Sequence, residues 1–433
     1  MTKIHTYPLL LILSVLVPSA SVAAPKSEPL DLTRAHSLAR AHNPNMKTLA
    51  ERVIQADLLI NKAWSMILPS VSADAAITRN SQEVVLSMPV GAGPPMNMTI
   101  QEEWNKRFGI TARMALFNAR SIPLIKNAYD NRLAARFSST HSRGDLLLAV
   151  SSAYYQVHAT RQLVRTGQEN LTTARRFQQG APSLRKVGPA TSIDTHRAEI
   201  RVLAAEKALS EAEDSVKLAR SALATLLGLE QDGFTLADPP EAKRVDGDLD
   251  TLTRRALKER LDLKALGLAR RMAARNRTES GLAWLPVFEM TYNWRYDSAG
   301  GFTGENDTWQ FVFGARWSRL EGGKRVAAIY ERRSKHREAE NKLRQRVLDI
   351  RQEVRRGQLE LRKTERNLSL AARQLKLAEQ TYALISKQYR AGVTSSLEVV
   401  NAGAELESRR VSRVVERLRR DLARLKLTRA LGG

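Results

Sequence analysis

The chain has no cysteine among its 433 residues. That absence removes disulfide bridges, thiolate nucleophiles, cysteine-ligated zinc and lipidation through an N-terminal cysteine. Proline and glycine are sparse, at 15 and 23, too few to punctuate a string of small modules, so long continuous elements are expected. Past the first two dozen residues, no apolar run is long enough to cross a bilayer as a helix, and any later membrane contact has to be made by strands. The seven histidines (His5, His36, His42, His141, His158, His196 and His336) match no metal-ligand spacing, and the chain has neither a phosphate-binding glycine loop nor a nucleophile elbow. Catalytic, metal and cofactor readings therefore find no support.

What the chain has in excess is positive charge: 69 Lys+Arg against 45 Asp+Glu, a formal net charge of +24. Such an excess meets polyanions, anionic lipid or small anions, or is solvated. With 43% hydrophobic residues the chain can still bury a core. Lys3, the apolar run Pro8 to Val17 and the small residues Ser21-Val22-Ala23 read as an export signal over 1–23.

The remainder is two copies of one unit. A shift of 217 places Leu32 on Leu249, Ala39 on Ala256, Leu68 on Leu285 and Pro69 on Pro286; shifts of 205 and 204 place Trp104 on Trp309, Gly188 on Gly392, Ser192 on Ser396 and Gly228 on Gly432. The expected boundaries are a first repeat at 24–233, a polar linker at 234–248 and a second repeat at 249–433. Each copy reads as helix, strand, loop, strand, long helix, tight turn and long helix. The first helix, Leu32 to Leu68, stops at Pro69.

After each proline the period changes to two. Phe288, Met290, Tyr292, Trp294 and Tyr296 alternate with polar residues, as do Trp309, Phe311, Phe313, Ala315 and Trp317. In the first copy Val71, Ala73, Ala75 and Ile77, then Phe108, Ile110, Ala112, Met114 and Leu116, repeat the pattern more weakly. These runs have the length of tilted bilayer-crossing strands. A half-buried soluble sheet alternates in the same way, but here the aromatic faces suit a lipid–water interface and the arginines opposite suit a wet lumen. Four strands cannot close a conducting barrel, so a membrane reading needs several chains to pool their strands. Val347, Val354, Leu361, Leu368, Leu375, Tyr382 and Tyr389 recur at sevens beside Ile350, Gly357, Thr364, Ala371, Ala378 and Ile385, the heptad signature of coiled-coil packing.

On these residues the chain resembles the TolC-type outer-membrane efflux proteins. The resemblance is carried by Leu32-Thr33 with Asn43-Pro44, Leu68-Pro69-Ser70-Val71, Leu285-Pro286, Trp317 through Leu320-Glu321-Gly322-Gly323, the turn from Tyr389 to Ala402, and the closing Leu227-Gly228 and Leu431-Gly432. It implies a mixed α and β membrane protein: a homotrimer giving four strands per chain to a twelve-stranded outer-membrane barrel, continued by a periplasmic helical barrel. The implied function is a passive channel, with no enzyme activity, working with a periplasmic membrane-fusion adaptor and an inner-membrane pump in efflux or type I secretion.

The resemblance also makes the two glycine turns periplasmic tips. Gly188, Thr191, Ser192, Gly392, Ser395 and Ser396 fall in the adaptor-contact pattern, although helix stops and N-caps account for the same residues. Asp194, Glu398 and Asn401 are candidate gate residues; a first-turn acid favoured by the helix dipole is the simpler reading of Glu398. Tyr292, Trp294, Tyr296, Trp309, Phe311, Phe313 and Trp317 are the candidate lipid-facing aromatics.

The first copy departs from the family pattern at Arg185-Lys186-Val187-Gly188-Pro189 and at Asn118-Ala119-Arg120. Val84 to Met98, with Met88, Met96 and Met98, reads as an adaptable apolar loop rather than a soft-metal site. From Lys324 to Gly433 there are 28 Lys+Arg and 13 Asp+Glu, so most of the excess lies in the last hairpin. Part of it is expected to line the tunnel and favour anionic substrates. The competing class is an exported basic coiled coil that binds polyanions such as nucleic acid; the duplicated aromatic strands have no use in that role, and no nucleic acid is expected.

Overall fold

A computed structural model describes residues 29–89, 91, 93, 95–186, 192–300 and 305–433. The first half runs α1 (Leu32–His42), α2 (Pro44–Trp64), β1 (Ser70–Arg79), β2 (Val84–Met88), β3 (Met96–Gln101), β4 (Trp104–Phe117), α3 (Ser121–Lys186) and α4 (Ser192–Leu227). The second runs α5 (Leu249–Glu259), α6 (Leu261–Leu282), β5 (Val287–Asp297), β6 (Asp307–Arg316), α7 (Lys324–Arg390) and α8 (Ser396–Ala430). The export signal and the first tip lie outside the described residues. No helix among the described residues is long and apolar enough to cross a membrane.

Two expectations change. The single helix from Leu32 to Leu68 is two helices, broken where Asn43 turns extended, caps Asn45 N through its side chain and leads into Pro44 at the first helical turn. The matching break in the second half falls at Arg260, without a proline. The region read as a loop holds a small antiparallel ribbon, β2 with β3, that places Met88 opposite Met96 and Leu86 opposite Met98.

The helical hairpins α3–α4 and α7–α8 are long because their seams are small or branched at heptad spacing. Val150, Tyr154, Val157, Leu223 and Leu227 bury against Ala35 and Ala39 of α1. In the second half Val354, Leu361, Leu427 and Leu431 bury in the same manner against Leu252 and Ala256 of α5. The two cores follow the same sequence shifts that revealed the repeat. At the rate of 1.5 Å per residue, α7 with its 67 residues is about 100 Å long.

Each hairpin ends on a glycine that its surroundings require. Gly228 has φ +74, and a Cβ there would lie 2.7 Å from the His42 carbonyl carbon; Gly432 has φ +100, and a Cβ would lie 3.2 Å from the Glu259 Cβ. Each closing glycine therefore packs against its half's helix break. There Asn43 Nδ2 donates to the Leu226 carbonyl at 2.7 Å, and Arg260 Nη1 to the Ala430 carbonyl at 3.3 Å. The two strand-to-helix corners reach the same turn by different chemistry. Gly322 and Gly323 use positive φ, whereas Asn118 accepts from Arg120 N at 3.2 Å.

Candidate functional site

The four long strands form one antiparallel sheet in the order β1-β4-β5-β6. Its register lines up the alternation read from sequence: Val71 pairs with Ala112, Ala112 with Tyr292 and Tyr292 with Phe311, while Ile110 pairs with Trp294 and Trp294 with Trp309. One face is thus continuously apolar. Within it Tyr292 and Phe311 pack at 4.8 Å and Phe108 meets Trp294 edge-on at 5.7 Å, and Tyr296 extends it opposite Phe108. Among the described residues nothing covers this face: Trp309 is 67% and Phe313 71% exposed, a disposition that suits lipid rather than water.

The opposite face carries Asp74, Arg107, Arg113, Glu289, Arg295 and Arg316. Arg316 binds Glu289 at 2.8 Å, and Arg107 lies 3.9 Å from Asp297. Gly109 belongs here for a steric reason, since a Cβ would come within 2.8 Å of the Asp74 carboxylate that lies across it. Two apolar positions differ from expectation. A bulge between Ala115 and Phe117 brings Phe117, not Leu116, opposite Phe288. Trp317 falls just beyond β6, where its indole N–H donates to the Trp284 carbonyl at 3.0 Å and Arg319 stacks on its ring.

At the other end of the molecule, the hairpins meet through polar contacts between α4 and α8. The buried Ser396 hydroxyl donates to Asp194, which also lies 3.7 Å from Arg197. One turn up, Arg201 Nη1 donates to the Val400 carbonyl at 3.1 Å, and its guanidinium occupies the space a side chain at Gly403 would need. Tyr389 is buried against Phe177, with ring centroids 5.5 Å apart and its hydroxyl without a hydrogen-bond partner among the described residues. Burial, and then the Asp194 charge, raise its pKa. Gly392 takes φ +74 in open space. Ser192, Ser395, Glu398 and Asn401 are all exposed. Gly188 and Thr191 lie outside the described residues.

A buried ionic network at mid-height ties the two halves together and has no local sequence signal. Arg260 is buried, paired with Asp262 at 2.9 Å and in contact with Glu353. Arg346 bridges Asp262 at 2.7 Å and Glu353 at 2.8 Å. From α3, His141 Nδ1 lies 2.9 Å from Arg429 Nη2, and His141 Nε2 lies 3.8 Å from both Asp145 and Asp262. Burial opposes charge on Asp262, but its hydrogen bonds to Arg260 and Arg346 prevail and hold its pKa well below the usual carboxylate range. Burial, reinforced by Arg429, lowers the His141 pKa and keeps the ring neutral. Higher up, Asp130 of α3 binds Arg271 of α6 at 2.6 Å, and Arg120, in the corner just before α3, binds Glu279 of α6 at 2.5 Å.

An open sheet with a bare aromatic face, prolonged by paired helical hairpins, is one sector of a membrane barrel joined to a helical tube. Residues 35–229 and 252–433 match the family model described as outer membrane efflux protein, and the chain belongs to that family. It is thus an outer-membrane channel protein rather than an enzyme, with its helical portion extending into the periplasm. Its fold is shared with the outer membrane protein VceC from Vibrio cholerae at TM-score 0.78 and 17% identity, covering 93% of this chain and 96% of that one. A membrane protein from Pseudomonas aeruginosa matches at TM-score 0.77 and 18% identity over 93% of both chains. The open state of the Neisseria gonorrhoeae MtrE outer membrane channel matches at 0.73 and 18%, over 93% and 89% respectively. No curated protein matches the sequence significantly.

Proposed function

We propose that three copies of this chain close into one conduit that passively carries substrates from a periplasmic adaptor and inner-membrane pump to the exterior, in efflux or type I secretion. The observation that carries the reading is the pair of open sheet edges. β1 and β6 are the outer strands and run in opposite directions, so β6 of one copy can pair antiparallel with β1 of the next until no edge remains. Three copies supply twelve strands, enough for a water-filled bore, whereas four are not.

In this reading residues 24–233 and 249–433 are the two repeats of each sector, joined through 234–248 after removal of 1–23. The aromatics Tyr292, Trp294, Tyr296, Trp309, Phe311 and Phe313 face lipid, with Trp317 at the rim. The tips around Gly188, Thr191, Ser192, Gly392, Ser395 and Ser396 meet the adaptor. Asp194 latches the two hairpins of one copy, and exposed Glu398 and Asn401, one turn apart on α8, are the tip residues free to face the bore. The polyanion-binding alternative leaves the aromatic sheet without a purpose.

Fractionated envelopes run unheated and heated in detergent test the proposal. A trimer in the outer-membrane fraction that collapses to monomer on heating is the expected result. A soluble species retained on DNA would overturn it.

A further inference from the structure

The bare aromatic face ends, on its helical side, in a basic corner. From Trp317 into the first turn of α7, residues 317–325 hold three cations, Arg319, Lys324 and Arg325, against one acid, Glu321. Arg319 lies over the Trp317 ring at 4.6 Å and Arg325 over the Trp284 ring at 5.7 Å. The Trp317 indole donates to the Trp284 carbonyl, and Arg325 donates to the Ala283 carbonyl, so the two stacks form one cluster. Glu321 binds Arg325 at 2.9 Å, which leaves the exposed Arg319 and Lys324 without an ion-pair partner among the described residues. A guanidinium on an indole face puts charge and apolar surface side by side, as the edge of a bilayer does.

The first half does not repeat this corner. Its counterpart, 117–125, holds a single cation, Arg120, and the buried Glu279 engages it at 2.5 Å. A general interfacial belt would draw on both corners, whereas here the free charge is gathered at one. Above the cluster the apolar face has a notch. Ala315 stands between Phe313 and Trp317 along the chain and pairs across the sheet with Phe288, so the smallest side chain of the row is bordered by three aromatic ones. In the corner itself Leu320 is 96% and Trp317 56% exposed, an apolar surface that water does not favour.

Resting on the lipid-facing reading of the aromatic sheet given above, we propose that this corner binds an anionic phospholipid of the periplasmic leaflet. Arg319 and Lys324 hold the headgroup phosphate, Leu320 enters the leaflet beside it, and one acyl chain lies over Ala315 between Phe313 and Trp317. A zwitterionic headgroup brings its own ammonium into the same space, where the two free cations oppose it; an anionic headgroup brings none. Three copies give three sites. The site fixes the depth of the barrel in the leaflet at the point where strands give way to helices.

The full-length oligomer, purified in a neutral detergent and titrated with phosphatidylglycerol, phosphatidylcholine or inorganic phosphate, tests the site, with bound lipid counted by native mass spectrometry. Three phosphatidylglycerol molecules per oligomer, retained in preference to phosphatidylcholine, are the expected result. At roughly a factor of five for each cation near an anionic lipid, Arg319→Gln combined with Lys324→Gln should weaken that binding about 25-fold. Ala315→Leu fills the notch, leaves both charges in place and should weaken it as well. Equal retention of the two lipids, or unchanged phosphatidylglycerol binding in the charge variant, overturns the site. Displacement of the lipid by inorganic phosphate overturns it too, in favour of a site for free anions. In all three outcomes the oligomer persists and the channel reading stands. A chain that forms no membrane oligomer fails that reading, and the lipid site with it.

Discussion

The hydroxyl of Tyr154 lies 2.8 Å from the backbone carbonyls of both Leu30 and Ala237 and shares its one proton between them. The second half repeats the bond with different chemistry. Gln358, at the corresponding place in α7, donates to the carbonyl of Gly247 at 3.1 Å. In both halves a long-helix side chain ties down the segment that leads into the short first helix. Tyr154 is fully buried, and burial foremost, with Asp31 nearby, pushes its pKa up to about 12, so it stays a donor at any physiological pH. Tyr154→Phe removes the one buried proton these carbonyls share, while the Leu30 carbonyl keeps the Ala237 amide at 3.0 Å, and is expected to cost about 1–3 kcal/mol. Chemical denaturation of the detergent-solubilised protein would show it; a loss within error would mean that water replaces the hydroxyl.

Gly228 and Gly392 share φ +74 but not their surroundings. The positive φ alone strains alanine by ~1–2 kcal/mol, and this is all that Gly392→Ala should lose, because no described residue lies within 4 Å of the new methyl. Gly228→Ala also drives a Cβ into the His42 backbone, which cannot yield as a flexible side chain can. It should be clearly the more damaging change when the melting of the two variants is compared. Equal effects would contradict the close approach of hairpin end and helix break.

Which parts of this fold are readable in sequence follows from how local their causes are. The strand faces are readable because alternation is a property of neighbours along the chain, and the register then places Ile110, Trp294 and Trp309 side by side. The break at Arg260 is not, since no proline or glycine marks it and, besides the nearby Asp262, its partners lie far off in sequence, in Glu353 and the Ala430 carbonyl. The β2–β3 ribbon hid behind Gly91, Gly93, Pro94 and Pro95, yet the spacing of Leu86 and Met88 against Met96 and Met98 carried its signal. The histidines, which match no metal-ligand spacing, are partly structural: His141 meets Arg429, 288 residues away along the chain.

That network predicts a specific response to acid. The folded-state pKa of His141 lies below the 6.5 of a free imidazole, so the fold favours the neutral ring. Its contribution is complete above about pH 6.5 and is lost as pH falls through that value toward the folded one. Asp262 titrates much lower and keeps its charge throughout that window. His36 and His158 are also lowered, chiefly by burial, so the parent protein should melt at progressively lower temperature between pH 7 and 5. His141→Gln should flatten part of that slope; an unchanged slope would remove His141 from the response.

The two sheet faces make opposite predictions for one substitution on adjacent residues. Phe311 lies on the bare aromatic face and Gln310 on the other, opposite Asn293. An arginine facing lipid near mid-bilayer costs about 2–4 kcal/mol, so Phe311→Arg should sharply reduce the heat-modifiable outer-membrane form. Gln310→Arg, facing water, should assemble like the parent. Equal tolerance would mean that the aromatic face does not meet lipid.

The same water-facing side bears on what passes through. Arg316 and Glu289 cancel, as do Arg107 and Asp297, leaving Arg113 and Arg295 against Asp74 and hence one net positive charge per chain on this face. Repeated around a closed barrel, this ring raises the local concentration of anions. Purified oligomer in a planar bilayer with a salt gradient should therefore show a reversal potential favouring anions. Arg113→Glu with Arg295→Glu, reversing the sign of the ring, should shift that potential toward cations. A clear cation preference in the unaltered channel would show that acidic groups elsewhere along the bore, Glu398 at the tip among them, govern selectivity instead.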